Sequence, residues 1–310
     1  MKLNGLDFKD GFLLAPLAGY SDVGFRTVCG EAGADVTFTE MLSAQAMRYN
    51  SKKTEDMAIR YPSERLVFAQ IFGNDPLIMA DAVKNPILDK FEGIDINMGC
   101  PAHKVIKNGE GSALLKDLPL ASKVISSCVK AAGQRPVSVK VRLGFDNNNI
   151  HEIVRMCEES GTSFITVHGR TTADGFSGKP DYEAIASAKA IASIPVFGNG
   201  DVVDKLSYQK MIETGVDGVM IGRGAVGSPW VFSELKNLPA QPKFEMLKRH
   251  VDILRQYYPE SYLTLYLRKH FLAYAASFKG GAEAKKALAL QTNIDESLKV
   301  LERLSNHFEN

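Results

Sequence analysis

The chain has 310 residues, 45% hydrophobic and 24% charged, with a mean hydropathy of −0.11 and a formal charge of +1. That length exceeds a disulfide miniprotein, the composition excludes a disordered chain, and no stretch of about 18 apolar residues offers a membrane span. A charge near zero argues against a broad basic field for nucleic acid, although residues 241–310 hold 11 Lys/Arg against 8 Asp/Glu and residues 1–240 hold 26 against 28.

Taken in chain order, short apolar runs predict strands at Phe12–Pro16, Asp35–Thr39, Leu66–Ile71, Gly93–Asn97, Val137–Val141, Phe164–His168, Pro195–Gly198 and Gly218–Ile221. Each is nearly continuous in apolar character, as strands covered on both faces must be. Amphipathic stretches such as Pro119–Ala132, Ile150–Ser160 and Tyr182–Ile191 separate them. Eight alternations of strand and helix predict an α/β fold, a closed (β/α)8 TIM barrel. An open doubly wound sheet would want a GxGxxG turn after the first strand, and GFLLAPLAGYSD has none. After Trp230 the breaker-rich link Leu238–Pro242 leads to Phe244–Tyr257, Tyr262–Phe278, Ala282–Leu290 and Ile294–Phe308, all of helical pattern. The predicted organisation is a catalytic barrel over residues 1–240 and a small all-helical domain over 241–310.

The N-terminus, MKLNGLDFKDGF, lacks the apolar core of a signal peptide. Cys29, Cys100, Cys128 and Cys157 are scattered with no CxxC pair. These features point away from a disulfide framework or zinc site and towards a reducing cytoplasm. No HxH, HExxH or clustered carboxylate pattern calls for a catalytic metal. No heptad or exposed seam argues for a dimer, so a monomer is expected.

In such a barrel the strand ends face the mouth where chemistry occurs. Those ends read Pro16 with Ala18, Glu40, Gln70, Asn97 with Cys100, Lys140 with Arg142, His168 with Arg170, Asn199, and Gly222 with Arg223. Any one polar residue could serve a turn or a cap; their common register at one rim points to a site. FGNGD (Phe197–Asp201) and IGRGA (Ile221–Ala225) place glycines after strands seven and eight, the usual phosphate position of this barrel. Arg223 would add a charged fork. A lysine ending a buried strand, Lys140, must find an anionic partner or shift its pKa, and His168 lies beside it. Cys29, Cys128 and Cys157 fall in helical patterns and read as small buried hydrophobes. Cys100 instead sits in a polar Gly-Cys-Pro turn. A free thiol is largely protonated at neutral pH, so it can donate a proton as readily as it can attack. Attack would want a nearby base, for which His103 is the local candidate.

APLAGYSDVGFR, TEMLSA, QIFG, DINMGCPAHKV, GSALL, VKVRLG, VHGRT, GNGD and IGRGAVGSPW, running from Ala15 to Trp230, together resemble the flavin-dependent tRNA-dihydrouridine synthases. LRKHFLAY (Leu267–Tyr274) resembles a motif of that family's helical domain. The resemblance implies FMN in the barrel mouth, at positions Pro16, Gln70, Lys140, His168, Asn199, Gly200, Asp201, Gly222 and Arg223. It also implies NADPH (or NADH) as reductant and tRNA as partner, with hydride transfer from the flavin to uracil C6. Cys100 matches the family's catalytic cysteine, which would deliver a proton to C5. By the same match Asn97 would hold the uracil edge, Arg142 and Arg170 would touch RNA or uracil, and Arg268, Lys269 and His270 would grip the tRNA backbone. Asn108 and Glu110 depart from the more basic or apolar residues of many relatives. Two alternatives are an FMN barrel oxidoreductase acting on a small pyrimidine or enoate, and a non-catalytic tRNA-binding protein. The first has no need of the helical domain, and the second has no need of Cys100 beside a flavin site.

Overall fold

The computed structural model describes residues 2–306 other than Asn4 and Lys279. Eight parallel strands close into a barrel: β1 (Phe12–Leu14), β2 (Val36–Phe38), β3 (Leu66–Phe72), β4 (Gly93–Met98), β5 (Val137–Arg142), β6 (Phe164–His168), β7 (Val196–Asn199) and β8 (Gly218–Ile221). Each pairs with its neighbour in sequence, and β8 returns to β1 with Val219 beside Phe12 and Ile221 beside Leu14. All eight predicted strands are present, with ends shifted by a residue or two. A short antiparallel pair, Lys2–Leu3 with Leu6–Asp7, precedes the barrel and was not predicted, because two-residue strands carry no readable periodicity. The same holds for Leu42–Ser43, which lies beside the end of β3.

Strand alternation sorts the side chains. Val137, Val139 and Val141 of β5 pack outward under the helices, while Ser138, Lys140 and Arg142 face the barrel axis. At the base the axis is filled by Phe8, Phe38, Phe68, Phe164 and Phe197. Phe164 meets Phe8 at 5.5 Å and Phe197 at 5.2 Å between ring centroids. Gly93 at the start of β4 makes room for this layer, since a Cβ there would fall 2.2 Å from the Phe68 ring. The base is therefore sealed by apolar packing, and polar inward residues are left for the mouth.

The C-terminal helices are Lys243–Arg255, Glu260–Tyr266, Arg268–Ser277, Gly281–Ala289 and Ile294–Asn306. The stretch predicted as one helix from Tyr262 to Phe278 is divided at Leu267, which ends one helix and opens the next. The last two residues of the predicted Ile294–Phe308 helix lie outside the described residues. Helix Lys243–Arg255 packs on the first barrel helix, Val23–Glu31. Gly24 permits this approach, because a Cβ there would lie 2.6 Å from the His250 ring.

One carboxylate organises that junction. Asp22 caps the first barrel helix by accepting from the Phe25 N–H at 2.9 Å. It also lies 3.0 Å from His250 Nε2 and 3.1 Å from His270 Nε2, the latter close but not aligned as a hydrogen bond, and it accepts from the Tyr266 hydroxyl at 3.2 Å. Burial alone would raise the Asp22 pKa, but His250 above all, by charge and hydrogen bond, outweighs it and holds the group well below the usual carboxylate range. His270 is fully buried, and desolvation lowers its pKa to about 4.

This has a pH consequence. The native state keeps His270 neutral down to about pH 4, whereas the unfolded chain takes up that proton near 6.5. Between those values the unfolded state binds more protons, so the contribution is present above pH 6.5 and declines as pH falls. His168, lowered to about 3 by burial, acts with the same sign. Asp95, raised to about 6 by burial, opposes them. We expect His270→Gln to lose about 2 kcal/mol less stability than the unaltered chain between pH 7 and pH 5. Urea unfolding at the two pH values measures this, and equal losses would exclude a neutral buried His270.

Candidate active site

The β strands end in a cavity of about 580 Å³ at the barrel mouth. Of the residues singled out from the sequence, Pro16, Gln70, Asn97, Cys100, Lys140, Arg142, His168, Asn199, Gly200, Asp201, Gly222 and Arg223 all line it. Parallel register explains the convergence. Asn97 pairs with Lys140, Arg142 (two residues on, along the same face of β5) with His168, and His168 with Asn199, so neighbouring strands bring their last inward residues to the same mouth.

Lys140, His168 and Asn199 form one unit. Asn199 Oδ1 accepts from Lys140 Nζ at 3.1 Å and lies 2.8 Å from His168 Nδ1, while its Nδ2 donates to the Met220 carbonyl at 2.8 Å. With Oδ1 as acceptor, His168 carries its proton on Nδ1. Nε2 is then a lone-pair acceptor, buried and without a partner among the described residues. Burial, then Lys140 and Arg142, lower the His168 pKa to about 3, so the ring is neutral. Burial, then Arg142, lower Lys140 to about 8. Burial, then Arg170, lower Arg142 to about 10. All three shifts have one origin: Lys140 and Arg142 are desolvated together with too little negative charge nearby, and the same burial and cations keep His168 neutral.

The negative charge present at the rim is already engaged. Asp201 adopts a left-handed backbone (φ 49°) and pairs with Arg170 and Arg223, each at 2.5 Å. Its pKa is lowered, first by the Arg170 hydrogen bond. Arg223 remains 57% exposed, and Gly222 leads into the short 3-10 turn Arg223–Ala225. Backbone N–H groups at such a turn with a nearby guanidinium suit a phosphate.

In the same mouth, Cys100 is half-buried, whereas Cys29, Cys128 and Cys157 are buried. Its backbone is held from two directions. Asn97 Oδ1 accepts from the Gly99 and Cys100 N–H groups at 3.3 and 3.0 Å, and Ser112 Oγ donates to the Cys100 carbonyl at 2.8 Å. His103 is exposed and does not line the cavity.

Several expectations need revision. His270 is buried against Asp22 and Tyr20, so it is withdrawn from any RNA-contacting surface. It sits on the inner face of its helix, which the Arg-Lys-His run did not reveal. Arg170 does not line the cavity; it donates to the Ser177 and Gly178 carbonyls and to Asp201, bracing the loop after β6. Arg142 does line the cavity, but it also donates to the carbonyls of Gly99, Thr171 and Gly175. Arg268 is exposed, and Lys269 lies 3.7 Å above the Tyr266 ring, near the Gly19 backbone. Glu40, read as a mouth residue, accepts instead from the Gly19 N–H. Met41 takes the place in the lining. Phe176 also lines the mouth, 59% exposed between Arg142 and Arg223. An aromatic in the polar, glycine-bracketed run DGFSG is the signal that could have shown it.

A TIM barrel with a cation-lined mouth and one half-buried thiol defines a class of candidate barrel enzymes. The family model for dihydrouridine synthase (Dus) matches residues 13–309. The chain belongs to the dihydrouridine synthase family. Among its relatives, tRNA-dihydrouridine synthase B of Pseudomonas aeruginosa is 38% identical, over 87% of this chain and 85% of its own. The Escherichia coli protein of the same name is 34% identical over 100% and 99%. Among solved structures, the old yellow enzyme from Trypanosoma cruzi superposes with a TM-score of 0.56 at 12% identity, covering 83% of this chain and 97% of its own. That likeness concerns the barrel fold.

Proposed function

We propose that this chain is a cytoplasmic, monomeric tRNA-dihydrouridine synthase that holds FMN in the mouth cavity, draws electrons from NADPH or NADH, and reduces the C5–C6 bond of particular tRNA uridines. The observation that carries the reading is the unpartnered His168 Nε2 and the under-compensated Lys140 and Arg142 sharing one cavity with the half-buried Cys100 thiol. These groups fit a flavin mononucleotide. Lys140 and His168 offer a cation and an acceptor to a polar ring edge. Gly200, Gly222 and Arg223 suit its phosphate, with Asp201 steadying Arg223, and Pro16 and Gln70 close the sides. Bound there, FMN supplies hydride transfer.

The chain's own residues supply the rest. Asn97 and Ser112 hold the turn that carries Cys100, so that the thiol presents a proton on Sγ to a base entering the mouth. Arg142 and Phe176 border that entrance. A uracil within folded RNA must be extruded to reach so recessed a thiol. The slightly basic C-terminal helices, with Arg268 and Lys269, would hold the backbone of the RNA.

The test is direct. Purified protein supplied with FMN, NADPH and tRNA from a host lacking dihydrouridine should yield 5,6-dihydrouridine by nucleoside mass spectrometry, with one NADPH consumed per product. Reduction of free pyrimidines or enoates with none on tRNA would replace this reading with that of a small-molecule oxidoreductase.

A further inference from the structure

Asp95 lies on β4 two residues before Asn97, hence on the same inward face, and is 0% exposed. Its Oδ1 accepts from Ser138 Oγ at 2.6 Å and its Oδ2 from Gln70 Nε2 at 2.7 Å. Gln70 Oε1 then accepts from Asn97 Nδ2 at 2.8 Å. Asn97 Oδ1 accepts from the Gly99 and Cys100 N–H groups. An ionised carboxylate can only accept and a backbone N–H can only donate. The two ends of the chain therefore fix the orientation of both amides between them, and no member is frustrated.

We propose that Asp95 is a positioning residue: through Gln70 and Asn97 its carboxylate orients the hydrogen bonds that hold the Gly99–Cys100 turn, and so sets where the Cys100 thiol sits in the mouth. The functional meaning rests on the reading of Cys100 as the proton donor. A role in stability alone does not explain the residue. Among the described residues no cation donates a hydrogen bond to Asp95, and Lys140 bonds Asn199 instead. Burial raises its pKa to about 6, so at pH 8 the charge is maintained at a cost in stability. The neutral isostere is thus not expected to unfold the protein. It accepts more weakly and admits both amide orientations.

The experiment follows Cys100 labelling by iodoacetamide in the native protein at pH 8. Cys29, Cys128 and Cys157 are 0% exposed, so peptide mass spectrometry reads Cys100 separately. Asp95→Asn should raise the labelling rate at least threefold and lower dihydrouridine formation at least tenfold, with flavin content kept. Asp95→Asn/Gln70→Glu moves the carboxylate one link along, where it can still accept from the amide of Asn97. It should return labelling to within twofold of the unaltered chain, a rescue that a merely structural role would not give. Asn97→Ala cuts the last link and should also raise labelling, adding nothing when combined with Asp95→Asn. An unchanged rate in Asp95→Asn, no rescue by the double variant, or additive effects with Asn97→Ala would each overturn the proposal. Labelling does not depend on turnover. If it responds as expected while Cys100→Ala stays active, the proton-donor reading fails and the positioning of the turn stands.

Discussion

Replacing Cys100 with alanine is expected to leave flavin content unchanged and to reduce dihydrouridine formation on native tRNA by about 10²–10⁴-fold, the usual contribution of a positioned general acid. The thiol lines the same cavity as the Lys140–His168–Asn199 unit, so a uracil entering the mouth would come within reach of a proton on Sγ. Nothing in the arrangement asks the sulfur to attack. The local base that attack would want, His103, is exposed and outside the cavity. Alanine removes the proton source but keeps the backbone bonds from Asn97 and Ser112, since those involve the main chain at position 100. Cofactor content by absorbance and single-turnover formation of product on tRNA separate the two effects. Full activity of the variant would remove Cys100 from the proton-donor role.

Lys140→Met should weaken FMN binding at least tenfold at pH 7 and abolish a pH dependence that the unaltered chain shows. Lys140 donates only to a neutral amide oxygen, and its pKa of about 8 reflects burial and the nearby Arg142. The dianionic phosphate of FMN, entering the same cavity, would offset the ammonium and raise that pKa again. Binding above pH 8 must therefore take up a proton, and affinity should fall by up to about fivefold from pH 8 to 9 and by up to about tenfold from pH 7 to 9. The phosphate of FMN does not confound this range, because its second ionisation lies near pH 6. Flavin fluorescence titrations at pH 7 and 9 read both effects. Equal affinity in the variant, with the same pH slope, would place Lys140 outside the cofactor site.

The barrel was legible because its strands are covered on both faces and read as unbroken apolar runs, as at Val137–Val141 and Phe164–His168. The rim was legible for a related reason. In a parallel barrel the last inward residues of all strands open into one mouth, so residue type at the strand ends reports the site. What escaped depends on orientation within a turn. Glu40 and Met41 are adjacent, and chain order alone does not say which side chain turns to the mouth. The Arg268–His270 run reads as basic, yet one helical step buries His270 while leaving Arg268 exposed. Asp95 escaped for the opposite reason. Alternation along Asp95-Ile96-Asn97 already places it inside, but a strand read for its apolar character passes over one acid.

The junction at Asp22 bears on how the sequence can change over time. One carboxylate serves as helix cap, neighbour of two imidazoles and acceptor for Tyr266, and Gly24 beside it has no room for a side chain. Positions 22, 24, 250, 266 and 270 thus form a single mutational unit spanning more than 240 residues of sequence. A substitution at one member removes a neighbour of a buried polar group or, at Gly24, strikes the His250 ring, so drift there must proceed by paired changes. Barrels and helical segments exchanged between distant relatives should be incompatible at this junction even where each half is intact.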